Sequence, residues 1–551
     1  MDALHVARLR ARYRLPAGDA DARPRLDALL REVLDDALEH ALDRAGVPRH
    51  EEVCVRRVDA PARLRLGAPD SALVAAWSVA LADAIRAALD GGGPDVVRFR
   101  TRGHALADLL VSVARGDHAR AWAWRQLGLW SAGDDASGEA AVEEAVRALL
   151  GHPESVVAAL LAAARAGALP ALAARIRPAA WTAVARAALE AAAVPDSAVR
   201  TLTHPSDPSA VRATGRPSGS GPSAGSPAGT AGDAEEVSAS PSASSADAML
   251  RRVRRIAGQS AIARAVLDRP EIAADRRRPL ALLALLEAEP AALARGLAAS
   301  VELVAAVEQE IAADGVDGLA AASRPDADGR TDADRRDAGR RTDASASADR
   351  DAERSRVESK ASDDLTEAGA EPEADPMLAM RTAGETRWGG LLFLLHVVGE
   401  LGIPEEVATS DVLAARSLRW VLLHVARALL GLDERDPAAL AFAGLGPDRD
   451  PPTRGEEPAT DAEMDGVDTL ARRLEARLFE RLRGEPAPDR RAASALLRET
   501  ARRTATVEAD PGWIDARLSL DEVSIDVRRA GLDLDPGWLA WLGVVVRFVY
   551  E

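Results

Sequence analysis

Nine histidines, a single cysteine and a large excess of carboxylates are the side chains of this 551-residue chain that could bind a metal, attack a carbonyl or move a proton. The histidines, His5, His40, His50, His104, His118, His152, His204, His396 and His424, are scattered, and none stands in an HExxH or CxxC-like setting that would suggest a metal site. His396 and His424 lie on apolar helical stretches, where a histidine is more often a satisfied core residue than a ligand. Cys54, in EEVCVRRV, has no partner for an internal disulfide, suits a reducing compartment, and reads as a small buried hydrophobe before it reads as a nucleophile. There is no GxxxxGK[ST], no GxGxxG after a strand and no GxSxG elbow, and the SGSG at 218–221 has no helix to open. Carboxylate pairs abound and none is distinguished. The expectation is a protein without catalysis, cofactor, metal or small-molecule substrate.

The aromatic residues are the anomaly. Ten tryptophans stand against five phenylalanines and two tyrosines. Trp122, Trp124 and Trp130 fall within nine residues, and on a helix 122 and 124 point to different sides, so at least one should face away from its own core. Trp513 and Trp538 each close a copy of the tetrapeptide DPGW, and Trp541 follows three residues later. In DPGW the aspartate accepts a downstream N–H, proline presets the turn and glycine permits a positive φ. These six tryptophans are the candidate interaction residues, because a large rigid side chain gains contact area at low entropic cost. The alternative is a thick local core. RRVRR at 251–255 and DRRRP at 275–279 are the nucleic-acid candidates, but they lack interleaved aromatics and sit in a chain of net charge −17, which repels phosphate backbones; solvated helix faces are expected instead.

Three breaks delimit the elements that would position these residues. Residues 201–247 are Ser, Gly, Pro and Ala, the composition of a flexible linker; 323–376 mix acids with arginines and are expected to be a charged disordered linker; 446–460 form a short Pro- and charge-rich linker. Before the first break, 1–135 reads as an α+β domain. His5 to Leu15 alternate like a strand, Leu26 to Leu42 recur at helical spacing, Val53/Val55 and Leu64/Leu66 mark two strands, Leu73 to Leu89 form a helix and DVVRFR returns as a strand. That order, βαββαβ, is the ferredoxin-like arrangement. Residues 137–197 and 248–322 are helical regions cut into short pieces by Pro153, Pro170, Pro178, Pro270 and Pro290. Residues 384–445 form a buried-helix domain, and 461–551 add two polar-faced helices, then strands joined by turns in a small antiparallel sheet. The fold class is α+β, predominantly helical. The aromatic-rich end, GLDLDPGWLAWLGVVVRFVYE, reads as a closing strand, with an exposed docking strand as the alternative. No signal-peptide pattern follows Met1 and no uninterrupted apolar run approaches the ~18 residues of a membrane span, so a cytoplasmic chain without membrane insertion is expected.

Several stretches resemble one family. EEVCVRRVDAPARLRLG with WSVALADAIRAAL, then ARAWAWRQLGLW, WGGLLFLLHVVGELGIP, DPAALAFAGLG and RRAGLDLDPGWLAWLGVVVRFVYE are similar to the tape measure proteins of contractile injection systems, machines related to contractile phage tails. The similar stretches cover about 1–130, 385–445 and 510–551. The resemblance implies a non-catalytic assembly component that sits with the inner tube of the injection particle, sets when polymerisation stops, and contacts tube and baseplate or cap proteins. Phage tape measures are long continuous helices, whereas the middle of this chain is broken by prolines. The second role it allows is a cytosolic adaptor or chaperone that binds tube or baseplate subunits and leaves.

Overall fold

The computed structural model describes residues 5–6, 8–15, 22–47, 51–133, 137–203, 243–267, 269, 272–294, 300–311, 381–522 and 524–551. The two long linkers expected from composition, in their stretches 204–242 and 323–376, lie outside the described residues. The described part is α+β and mostly helical, with two small sheets.

The N-terminal segments pack as helices on helix. Ala22–Glu32 and Leu38–Arg44 are joined by a single wide turn, Val33–Ala37. The extra residue in that turn re-aims Leu38 and Ala41 so that they continue the face begun by Leu26, Leu29 and Leu30. This face covers Leu73, Val74, Trp77 and Ala82 of the helix Asp70–Gly91. By length and composition Asp70–Gly91 is also apolar enough to cross a membrane, a property that counting uninterrupted apolar residues passes over because Asp83 and Arg86 interrupt it.

The expected βαββαβ unit is not confirmed. Strand β1 (Glu52–Val55) pairs antiparallel with β2 (Val96–Phe99), Cys54 opposite Val97, in a two-stranded sheet. A split βαβ sheet places these two strands on opposite edges, so their direct pairing is a different topology. Residues 8–15 and 59–65 carry no strand. The alternation there has a simpler cause: Tyr13 and Leu15 pack against the helical cluster with no ladder, the Tyr13 hydroxyl donating to Asp27 at 2.8 Å and its ring meeting Trp77 edge-on at 6.3 Å.

One apolar cluster runs from Cys54 and Phe99 through the helices Arg102–Arg115, Glu139–Gly151, Val156–Arg165, Leu169–Arg175 and Pro178–Ala191 to Ala261–Leu267, Ala274–Ala288 and residues 300–311. The stretches 137–197 and 248–311 therefore share one core with the end of the first block. Alanine lines most of these helices, and its small side chain lets neighbouring backbones approach closely.

A second cluster holds the C-terminal part. The all-round apolar run is buried as expected, as a 3₁₀ turn Gly389–Phe393 continuing into Leu394–Glu400. It needs glycine: a Cβ on Gly390 would stand 2.2 Å from the Thr500 carbonyl oxygen. Leu418–Leu430 ends at Gly431 in the left-handed conformation, and Asp436 caps the next short helix by accepting from the Ala438 N–H at 2.9 Å. Asp461–Arg483 opens on a capping box, Thr460 with Glu463, and buries the stripe Val467, Leu470, Leu474 and Leu478. Residues 446–460, expected as a linker, are held in place, Pro451 and Pro452 being buried and Glu456 accepting from Arg255 and Arg416 at 3.0 Å each.

The sheet at the C-terminal end has five strands in the order β3 (Thr382–Thr386), β4 (Ala505–Asp510), β5 (Trp513–Leu518), β7 (Val544–Tyr550) and β6 (Gly537–Leu539). It is mixed rather than antiparallel, because β5 and β7 run parallel with Trp513 opposite Val545. The stretch between them, expected to carry a further strand of the sheet, instead contains the short helix Ile525–Arg529. That helix belongs to the crossover that a parallel pair requires.

Candidate interaction site

The first DPGW is the two-residue hairpin between β4 and β5, with Asp510 opposite Trp513. Gly512 has φ +74°, and a Cβ there would lie 2.4 Å from the Ala158 Cβ. The turn is therefore seated directly on the helix Val156–Arg165, far earlier in the chain. The second DPGW works differently. Asp535 turns back to cap the sheet, its Oδ1 accepting the Phe548 N–H at 2.7 Å beyond the point where the short β6 ends. The last strand is thus interior to its own sheet along half its length and capped beyond it. That is why the chain end carries such a density of aromatic side chains: Phe548 packs edge-on to Phe393 at 5.0 Å.

Of the six tryptophans singled out in the sequence, none is exposed. Trp124 and Trp130 are buried with ring centroids 5.7 Å apart, and the Trp124 indole N–H donates to Asp108 at 2.9 Å. Trp122 packs at the margin of the same cluster, and Trp541 against the second. Trp538, on the edge strand β6, and Trp513 are half-buried. Trp513 lies where the helix Arg102–Arg115 meets the sheet, with Arg547 stacked 5.1 Å above it and His104 at 6.4 Å. The structure brings Trp122, Trp124 and Trp130 together and keeps them apart from Trp513, which faces the neighbouring end of the first core.

A charged seam surrounds Trp513. Arg100, at the end of β2 and 11% exposed, donates to Asp510 at 2.7 Å and Glu508 at 2.9 Å, and its guanidinium lies 2.8 Å from Asp515. Arg381 lies 3.4 Å from Glu508 and 3.6 Å from Asp510, Arg517 pairs with Glu508 at 3.0 Å, and Arg547 grips Asp515 with two bonds of 2.9 and 3.0 Å. Burial opposes the charge on Arg100, yet Asp515, Asp510 and Glu508 hold it more firmly cationic than usual. His104 is pushed the other way: burial lowers its pKa despite Asp510 nearby, so it stays neutral. Sequence reasoning missed this seam because its members come from three distant stretches; the signal within reach was the alternation of acids and arginines over 508–517.

A second seam ties 243–294 to the C-terminal helices. Arg252 and Arg255 clasp Glu289 at 2.6 and 2.5 Å, Arg255 reaches Glu456, and Arg416 pairs with Glu463 at 2.7 Å while lying 4.6 Å over the Trp420 ring. Burial would raise the Glu289 pKa, but Arg255 and Arg252 bring it down to about 2. Two arginines of RRVRR are thus consumed in buried pairs rather than solvated, and in DRRRP Arg276 and Arg278 donate to the Ile176 and Leu202 carbonyls.

The residues considered for chemistry have structural partners. The Cys54 thiol is buried, 3.7 Å from the Ala123 carbonyl, and burial followed by Glu52 pushes its pKa up to about 12. His396 Nε2 meets the Leu534 carbonyl at 2.9 Å, and His424 stacks on Trp420 at 4.1 Å. Among the described residues no group of three or more His, Cys, Asp or Glu side chains is placed to hold a metal. Comparison with protein-family models, with characterised proteins and with solved structures finds no match to this chain.

Proposed function

We propose that this chain is a non-catalytic assembly protein of a contractile injection system, acting in the cytoplasm on tube and baseplate or cap subunits. The resemblance allows a tape measure threaded through the inner tube and an adaptor that docks and leaves. The joining of the two ends favours the adaptor. Arg100 binds three carboxylates of the C-terminal sheet, and the first DPGW turn is seated on Ala158. A molecule anchored at opposite ends of a growing tube has to part its termini, and parting these would strip Arg100 of its three carboxylates and lift the DPGW turn off Ala158. A ruler role would rest on the expected linkers, in their stretches 204–242 and 323–376, serving as extendable spacers. Among the described residues the most exposed large apolar side chains are Leu520 at 62%, Leu534 at 65% and Ile525 at 70%, all around the C-terminal sheet, and they are the proposed partner-facing residues.

Purification of particles from cells producing the full chain separates the roles. An adaptor is captured with tube or baseplate subunits from the cytosol, is missing from finished particles by mass spectrometry, and leaves tube length unchanged when 204–242 and 323–376 are deleted. Retention in particles together with shortened tubes would establish the tape measure and overturn the adaptor.

A further inference from the structure

Three arginines converge beside the first DPGW turn, and the guanidinium groups of two of them make no hydrogen bond or ion pair within the described residues. Arg165, at the end of the helix Val156–Arg165, Arg419 and Arg449 line one cleft together with Gly446, Gly512 and Gly543. The cleft is partly open and its volume is about 50 Å³, on a scale where one water needs about 10–15 Å³, so it has room for a few waters or one small polyatomic ion. Two of the carboxylates on its wall, Glu287 and Asp448, accept hydrogen bonds from neutral donors and offset part of the positive charge, and the third, Asp510, is taken by another cation. Glu287 accepts from the Ser260 hydroxyl at 2.6 Å and from the Ala261 and Ile262 N–H groups at 2.9 and 3.0 Å. Asp510 belongs to the Arg100 seam, and Asp448 accepts from the Thr382 hydroxyl at 3.0 Å.

The cations are less well served. Arg419 donates only to two carbonyls, those of Glu287 at 2.9 Å and Leu542 at 3.2 Å, and its Nε–H is buried without an acceptor. Among the described residues the guanidinium groups of Arg165 and Arg449 have no hydrogen-bond or ion-pair partner within the chain. Burial lowers the pKa of Arg165 and repulsion from Arg449 lowers it further, against the attraction of Asp448 and Glu287. For Arg419 burial prevails over attraction to Glu287 and brings the pKa down to about 10. Partly buried cations that repel one another favour an anion between them, and guanidinium groups match tetrahedral oxyanions with paired, charge-assisted hydrogen bonds.

We propose that this cleft is an anion-binding site for a phosphate group, held by Arg165, Arg419 and Arg449 against the DPGW turn. The group is either free phosphate or the terminal phosphate of a larger molecule. Binding there would bridge the helix Val156–Arg165, the loop after Leu445 and the C-terminal sheet, strengthening the joint between the two cores.

Calorimetric titration of the full-length protein at constant ionic strength tests this with inorganic phosphate, glycerol 3-phosphate and acetate. One-site binding of phosphate is expected, weakened about tenfold or more by Arg449→Gln and by Arg165→Gln, as loss of a charge-assisted hydrogen bond implies. Tighter binding of glycerol 3-phosphate assigns the site to a terminal phosphate, and equal binding to free phosphate. Arg449 lies in the partly exposed 446–460 stretch, so its variant reports even where Arg165→Gln impairs folding. No binding up to about 10 mM phosphate, unchanged affinity in Arg449→Gln, or acetate binding as tightly as phosphate would each overturn the site.

Discussion

Arg100 and Asp510 are 410 residues apart in the chain, and their side chains meet at 2.7 Å in a largely buried bond. The contact joins the strand pair of the N-terminal part to the hairpin that carries the first DPGW, and it makes the two ends of the protein one structural unit.

Truncating Arg100 removes the cation shared by Asp510, Asp515 and Glu508 and leaves Asp510 with only Arg381, at 3.6 Å, among the arginines of the seam. Arg100→Met is expected to cost about 3–5 kcal/mol of unfolding free energy in urea titrations, and to raise amide exchange in β4 and β5 before the rest of the second core. A loss below about 1 kcal/mol would mean that the seam contributes no more than a surface pair.

The two DPGW glycines provide an internal comparison. Gly512 and Gly537 both have positive φ, +74° and +68°, but a Cβ meets Ala158 at 2.4 Å in the first and open space in the second. Gly537→Ala should cost about 1 kcal/mol, the backbone term alone. Gly512→Ala adds a clash and should cost about 2–4 kcal/mol. Equal melting temperatures for the two variants would contradict the seating of the first turn on the helix.

Glu289 sets an acid dependence. Its folded pKa is about 2 against an ordinary 4.5, so the folded state releases this proton more readily than the unfolded chain. The stabilisation is complete above pH about 4.5 and is lost as pH falls toward 2, by an amount on the order of 3 kcal/mol. Glu289→Gln should flatten that part of the stability profile and lower stability at pH 7, since Arg252 and Arg255 lose their shared anion. A profile of wild-type shape in the variant would show that other carboxylates govern the acid limb.

Ile525 and Leu534 bear on the partner surface. Ile525→Asp and Leu534→Asp replace side chains 70% and 65% exposed, so stability should stay within about 0.5 kcal/mol. Capture of tube or baseplate subunits should fall sharply. Full capture by the folded double variant would place the partner surface elsewhere.

Local features of this fold were legible in the sequence wherever a short-range cause decides them. The helix stripes, the Gly431 stop, the Asp436 cap and the reversal at the first DPGW all follow from residues within one or two turns of each other. The strand expected over His5–Leu15 and the one through Ile525 show the limit, because an alternating pattern does not by itself provide a neighbouring strand. The parallel pairing of β5 with β7 and the clasp of Arg100 on Asp510 join residues that no period links. The tryptophans illustrate the same limit for function, since Trp124 is anchored by Asp108 and Trp513 by Arg547 and His104, partners invisible in local spacing.

The joined ends can be tested by double electron–electron resonance between spin labels at Asp95→Cys and Glu551→Cys, both at exposed positions. The native thiol Cys54 is buried with a pKa of about 12 and should not compete for label. A single narrow distance is expected in the isolated protein, unchanged when tube or baseplate subunits are bound. A broad or lengthened distribution on assembly would show that the ends part, and would contradict a protein that works as one joined body.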